Sequence, residues 1–215
     1  MSVVGIVPAA GSGERLGSGG PKAFVVCGGR PLLEWSVDVL SAVCDRVIVA
    51  VPDGYVDPGR GYVRGGAVRS ESVRLALDSV PDATVAVVHD AARPLLAEAL
   101  VRSCISALGD GVDGAIAAAP MTDTVKEAEP ADLRVVRTLD RSVLWRIQTP
   151  QAFRADALRR ALDVSDSALA AATDDAALVE AAGGTVRVVE APPENLKVTR
   201  PVDLALAELL LRERG

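Results

Sequence analysis

The sequence predicts an α/β fold: a mostly parallel sheet with helices on both faces. Two observations carry this. Short runs that are apolar at every position alternate with longer runs whose apolar residues recur at helical spacing. Strands apolar on both sides belong to a sheet covered on both faces, and the alternation with helices makes that sheet mainly parallel. A third observation adds an appendage. The segment 123–141 breaks the alternation with two short β-like runs around the turn-forming "EPAD", and reads as a hairpin arm.

The elements follow in order. "VVGIVPA" reads as a buried strand. "PLLEWSVDVLSAV" (31–43) reads as a helix with Pro31 at its start, where the missing N–H costs nothing. "RVIVAVP" is the next strand and "RSESVRLALDSV" (69–80) the next helix. "TVAVVHD" is a strand, "PLLAEALVRSCISAL" (94–108) a helix and "GAIAAAP" a strand. Beyond residue 150, "DALRRAL" and "DDAALVEAA" read as helices, "TVRVVE" as a strand and "PVDLALAELLLRER" as a closing helix. In such sheets ligands bind outside the carboxyl ends of the strands. That rule places residues 8–22, 52–53, 89–94 and 120–124 on one rim. An isolated hairpin is marginal in water, so the arm is expected to pack on something, a second subunit being the natural candidate.

Composition narrows the function. The 215 residues are 49% hydrophobic and 24% charged, as expected for one globular domain spanning 1–215. The net charge of -6 argues against a nucleic-acid partner, which requires a basic face. No apolar stretch reaches the ~18 residues of a membrane helix, and no Lys or Arg precedes Arg15 to make the charged start of a signal peptide. The expected location is the cytoplasm. Cys27, Cys44 and Cys104 form no C-x-x-C pair, so no zinc site is expected, and they read as small buried hydrophobes.

The chemistry concentrates in a few stretches. "PAAGSGERLGSGGPKAF" (8–24) is a glycine-rich loop directly after the first strand. Gly11, Gly13 and Gly17 miss the G-x-G-x-x-G spacing. The acid of a dinucleotide site is expected about 20 residues on, whereas Asp53 lies roughly twice that far. Lys22 follows a proline and precedes Ala23, so a G-K-[ST] phosphate loop fails as well. What remains is a loop whose backbone N–H groups can approach an anion closely. Arg15 supplies a fork for phosphate oxygens and Lys22 a point charge; the alternative is a plain connection carrying two solvated cations.

Lysine usage points the same way. Of 23 Lys plus Arg, only Lys22, Lys126 and Lys197 are lysine, and the two residue types are not interchangeable where a compact ammonium must fit. "VVHDAARP" (87–94) puts His89, Asp90 and Arg93 at a strand's carboxyl end. His89, the only histidine, reads better as a hydrogen-bonded structural residue than as a base. Asp90 reads as a ligand for a substrate hydroxyl or a metal. In "GGAVRSESV" (65–73) a glycine pair precedes a helix N-terminus, a favourable place for anions and polar ligands; Ser72 is either part of that site or a local cap. No Ser–His–Asp arrangement or H-E-x-x-H motif is present. Attack of an ionised phosphate on another phosphate requires neither, because its catalysis is positioning and cationic charge stabilisation.

Taken together, these stretches resemble the 2-C-methyl-D-erythritol 4-phosphate cytidylyltransferases of the non-mevalonate isoprenoid pathway. The resemblance runs over essentially the whole chain, through "PAAGSGERL" with "PK", "GGAVRSESV", "HDAARP", "DTVK", "DRSVLWRIQTPQAF", "TDDAALVE" and "NLKVTRPVDLALAE". It implies a Rossmann-like sheet and a homodimer locked by the arm at 123–141. It implies cytidylyl transfer from CTP to methylerythritol phosphate, with pyrophosphate leaving and Mg²⁺ carried mainly on the CTP phosphates. By position it assigns Arg15, Lys22 and Lys197 to catalysis at the triphosphate. Ala9, Ala10, Gly11, Gly66, Ala67 and Ser72 would line the nucleotide pocket, with Asp90 and Ala91 at its edge. Asp90, Arg93, Thr149, Thr173 and Lys197 would hold the polyol phosphate. Thr124 and Arg141, on the arm, would reach a partner's site. Two positions depart from the usual pattern: Leu16, where the family often has Met, and Ala67, often acidic. The rival readings are a ribitol 5-phosphate cytidylyltransferase and a catalytically silent nucleotide-binding protein.

Overall fold

The computed structural model describes residues 1–11 and 20–214. Arg15, Gly13, Leu16 and Gly17, singled out above, lie outside the described residues. The strands and helices are β1 (Val3–Pro8), β2 (Val26–Cys27), β3 (Arg30–Pro31), α1 (Leu32–Ser41), β4 (Arg46–Val51), β5 (Tyr62–Arg64), α2 (Arg69–Asp78), β6 (Val85–Val88), α3 (Glu98–Ser106), β7 (Gly114–Pro120), β8 (Lys126–Ala128), β9 (Val135–Thr138), β10 (Trp145–Arg154), α4 (Ala155–Leu162), α5 (Asp166–Ala171), α6 (Asp175–Ala181), β11 (Val186–Glu190) and α7 (Pro201–Arg214).

Seven strands form one sheet in the order β11-β7-β10-β6-β1-β4-β5. β10 runs antiparallel to both its neighbours, and every other pairing is parallel. Side chains alternate between two cores. Val3, Val7, Val85, Val87 and Ala152 face Leu33 and Leu40 of α1 and Val101 and Cys104 of α3. Val4, Ile6, Ala86, Val88 and Phe153 face Val73 and Leu77 of α2, Leu158 and Leu162 of α4, and Val179 of α6. Burial on both faces is why these strands read as continuous apolar runs, and each buried Val or Leu contributes ~1.5–3 kcal/mol. A third cluster joins Cys27, Leu32, Leu95, Val198 and Ala207 beneath α7. All three cysteines are buried, and burial pushes the Cys44 and Cys104 thiols up to about 12. They behave as the small hydrophobes expected.

The arm is a two-stranded antiparallel sheet of β8 and β9, its residues exposed. The helix expected over 94–108 begins only at Glu98. Arg93 precedes a proline, which disfavours helical backbone. The two leucines that follow cross between clusters, Leu95 into the third and Leu96 into the first. β5 and β10 carry no run of the unbroken apolar kind that marks β1, β4, β6 and β7. Among the described residues, no helix is long and apolar enough to cross a membrane.

Candidate active site

A cavity of about 530 Å³ opens at the carboxyl ends of β1 and β6. Its walls come from four separate stretches. The first is Pro8–Gly11, leaving β1, with Lys22 and Ala23 on the far side of the glycine-rich loop. The Lys22 N–H donates to the Gly11 carbonyl (3.2 Å), which closes the base of that loop. Ala23 is buried in the first core and anchors the short turn carrying Lys22.

The second wall is Gly66–Arg69 with Ser72, at the start of α2. A Cβ on Gly65 would lie 2.6 Å from the Ala10 Cβ, so only glycine lets this loop approach the β1 loop. The Ser72 hydroxyl accepts from the Gly66 N–H (3.0 Å) and donates to the Val68 carbonyl (3.1 Å). It therefore ties the loop to the helix while facing the cavity. Glu71 folds back to accept the Ala67 N–H at 2.6 Å, a favourable place for an acid at a helix start.

The third wall, Asp90–Ala92, follows β6, and the fourth is Lys197 and Thr199 before α7. Val198, fully buried, donates its N–H to the Ala92 carbonyl (2.8 Å), joining these two walls. Asp203 accepts from the Thr199 and Arg200 N–H groups (2.9 and 2.8 Å) and caps the start of α7. The backbone directly after Lys197 is thus fixed, and its Nζ lies 2.9 Å from Asp90 Oδ2.

Asp90 is buried among cations. Its Oδ1 lies 3.1 Å from Arg69 Nε, and Arg93 Nε stands 3.7 Å from Oδ2. Burial alone would raise its pKa, but Arg69, then Lys197 and Arg93, hold the carboxyl well below the usual range. Arg69 also contacts Asp175 Oδ2 at 2.6 Å, and Asp175 is fully buried at the start of α6. Burial pushes the Asp175 carboxyl up, with Arg69 opposing.

Behind Asp90 lies a polar scaffold. The Asp90 N–H donates to Thr149 Oγ1 (3.0 Å), and Thr149 Oγ1 lies 3.0 Å from His89 Nδ1. His89 Nε2 is 3.2 Å from the Arg93 carbonyl. A carbonyl only accepts, so Nε2 carries the proton and Nδ1 accepts from the Thr149 hydroxyl. Burial lowers the His89 pKa to about 4, leaving the ring neutral near pH 7. His89 is a hydrogen-bonded structural residue, with both ring nitrogens engaged. Arg93 donates to the Asn195 carbonyl (2.7 Å), and Asn195 Nδ2 donates to Gln148 Oε1 and the Thr149 carbonyl, each at 2.8 Å.

Ala9, Ala10, Gly11, Lys22, Gly66, Ala67, Ser72, Asp90, Ala91 and Lys197 therefore meet at one cavity. Arg93 and Thr149 stand behind Asp90, out of the lining. Thr173 is exposed just before α6, and Thr124 and Arg141 are exposed on the arm. Arg141 donates to the Thr122 carbonyl. The cavity takes in less of the strand rim than predicted. Asp53 instead pairs with Arg64 (2.8 Å), and residues 120–124 do not line the cavity. Arg69, Asp175, Asn195 and Thr199 were not singled out from sequence, although each sits within a stretch that was.

A scan against family models matches residues 3–213 to IspD, 2-C-methyl-D-erythritol 4-phosphate cytidylyltransferase. The chain belongs to this cytidylyltransferase family. The family member of Frankia casuarinae is 49% identical over 97% of this chain and 81% of its own length. That of Nocardia farcinica is 46% identical over 100% and 96%. The crystal structure of the Thermus thermophilus cytidylyltransferase superposes with a TM-score of 0.83 at 36% identity, covering 99% of this chain and 100% of that one. The α/β fold and the family are thus those that the sequence resemblance implied.

Proposed function

We propose that this cavity is where the chain carries out its family's reaction, cytidylyl transfer from CTP to 2-C-methyl-D-erythritol 4-phosphate with release of pyrophosphate. The observation that carries this assignment is the convergence of Lys22 and Lys197, from opposite ends of the chain, on one cavity. In this reading the cytosine and ribose lie against Ala9, Ala10, Gly66 and Ser72, and Ala67 offers its backbone once Glu71 moves aside. Gly11 and Ala91 border the nucleotide. Arg15 and Lys22 grip the triphosphate.

The reaction is an in-line displacement. A phosphate oxygen of the acceptor attacks the α-phosphorus, and the bond from that phosphorus to the bridging oxygen of the β-phosphate breaks. Negative charge grows on the equatorial oxygens, where Lys22 and Lys197 offset it. The acceptor phosphate is already ionised, so no protein base is required, consistent with a neutral, fully engaged His89. Asp90 faces the acceptor from the cavity wall, Arg93 and Thr149 stand behind it and steady it, and Thr173 is assigned to the acceptor by the family resemblance alone.

The described residues of the cavity do not suit a resident cation. Among the described residues, no group of three or more His, Cys, Asp or Glu could hold a metal ion, and each Asp90 oxygen already faces a cation. In this reading Mg²⁺ enters on the CTP phosphates, as part of the substrate.

The same proposal makes the chain a homodimer through its arm. Leu133, Val135, Val136, Val143, Trp145 and Ile147 are all exposed on the arm and its stem. This many exposed apolar side chains on one appendage favour a protein partner, and a second copy brings Thr124 and Arg141 to the neighbouring site. Mixing Arg141→Ala with Lys22→Ala subunits checks this. Heterodimers are expected to regain activity absent from either parent; confirmed heterodimers that stay inactive exclude a shared site.

Pyrophosphate release with CTP and Mg²⁺ tests the reaction itself, comparing methylerythritol 4-phosphate with ribitol 5-phosphate. Release with the first alone is expected. Preference for the second moves the chain to another polyol phosphate with the same mechanism. Release with neither, despite CTP binding, overturns the catalytic reading.

A further inference from the structure

Lys197 reaches the cavity on a side chain 42% exposed, and a flexible ammonium is only as well placed as its carboxylate partner. That partner, Asp90, has one oxygen toward Lys197 and the other toward Arg69. Arg69 is the first residue of α2, and its guanidinium spans two carboxylates that come from different elements. Nε points at Asp90 Oδ1 (3.1 Å) and Nη1 at Asp175 Oδ2 (2.6 Å). Only a planar fork holds two such directions at once.

Asp175 is held firmly in turn. Its neighbour Asp174 caps α6 through the Ala177 N–H (2.9 Å) and accepts from Gln151 of β10 (2.8 Å). Asp175 itself is fully buried, and its Oδ1 has no hydrogen-bond partner among the described residues. A buried carboxylate with half its acceptors unused is a poor device for stability alone. It does place the far end of Arg69 at a fixed point.

We propose that Arg69 is a positioning residue for the transfer: anchored by Asp175, it fixes one oxygen of Asp90 so that the other presents Lys197 to the α-phosphate. This rests on the assignment of Lys197 above. Without Arg69 the Asp90 carboxylate is free to turn toward Arg93, which already stands 3.7 Å from the oxygen that holds Lys197. The ammonium then loses its set position while the nucleotide pocket stays intact. The penalty falls on the transition state, and so on kcat more than on KM.

The test is steady-state kinetics of the full chain with CTP, Mg²⁺ and methylerythritol 4-phosphate, alongside thermal melts. Arg69→Lys and Asp175→Asn are each expected to lose ~10–100-fold in kcat, the scale of a small misplacement of a catalytic group. The KM for CTP is expected to move by no more than about threefold. The double variant should be no worse than the more impaired single, because the two residues act through one contact. In Arg69→Ala, added guanidinium should restore part of kcat and added ammonium should not. If Arg69→Lys fails to fold, the near-isosteric Asp175→Asn carries the same kcat forecast. Folded variants with wild-type kcat, losses confined to KM, or additive losses overturn the inference while the transfer reading stands. A wild type that releases no pyrophosphate overturns the transfer reading and this inference with it.

Discussion

Lys197→Ala is expected to lose at least ~10²–10³ in kcat, the usual effect of removing one preorganised charge-stabilising group, while remaining folded. The fold should survive because Arg69 and Arg93 remain beside Asp90, and because Lys197 sits between the packed side chains of Leu196 and Val198. Lys22→Ala is expected to behave alike. Its neighbour Ala23 carries the packing, and the backbone link to Gly11 does not involve the side chain. Single-turnover measurements with saturating CTP, read beside a thermal melt, check both. A folded variant with near-normal kcat would remove that lysine from the chemistry.

Asp90→Asn is expected to have the largest effect on stability. Breaking a buried charge cluster by neutralising one member typically costs ~3–5 kcal/mol, because the opposite charges stay buried. Here Arg69, Arg93 and Lys197 would be left around a neutral amide. The pH dependence follows from the depressed Asp90 pKa. Between the folded and unfolded values the unfolded chain binds more protons. The Asp90 contribution is therefore complete above the ordinary aspartate range near pH 4 and is lost as pH falls below it. Urea unfolding of the wild type and Asp90→Asn should differ most at neutral pH and converge below about pH 4. A constant gap across that range would show that the carboxylate charge contributes nothing to the fold.

The parallel strands were legible because burial on both faces writes itself as unbroken apolar runs, as in "VVGIV" and "VAVV". The arm was legible because it breaks that rhythm. β10 was not. "WRIQTPQAFR" alternates only over its first four residues, loses the pattern through Gln148–Thr149–Pro150–Gln151, and holds Pro150, which by itself argues against a central strand. A register shift between Ile147 and Gln151 accommodates it. At the site, motifs marked the loops but not the side chains that organise them. Arg69 and Asp175 are 106 residues apart, and nothing local says that one guanidinium joins them. Likewise, "NLKVT" draws attention to Lys197, while Asn195 does as much to tie that loop to β10. Pairings across the fold have no local pattern, and those are what set the geometry.

The placement of β10 also fixes the order in which the chain can become safe from its neighbours. β6, with four buried residues, pairs with β1 on one side and with residues 151–154 of β10 on the other. β7 likewise waits for β10 on one edge and β11 on the other. During synthesis the first half of the sheet therefore emerges with an apolar edge unpaired, and it stays open while the arm is being made. An open apolar strand edge is a template for wrong pairing, and nascent domains with late long-range contacts are exposed to it longest. Truncation anywhere before residue 151 leaves that edge permanently uncovered, so ribosome-bound fragments ending in the arm are the ones that most need chaperone cover.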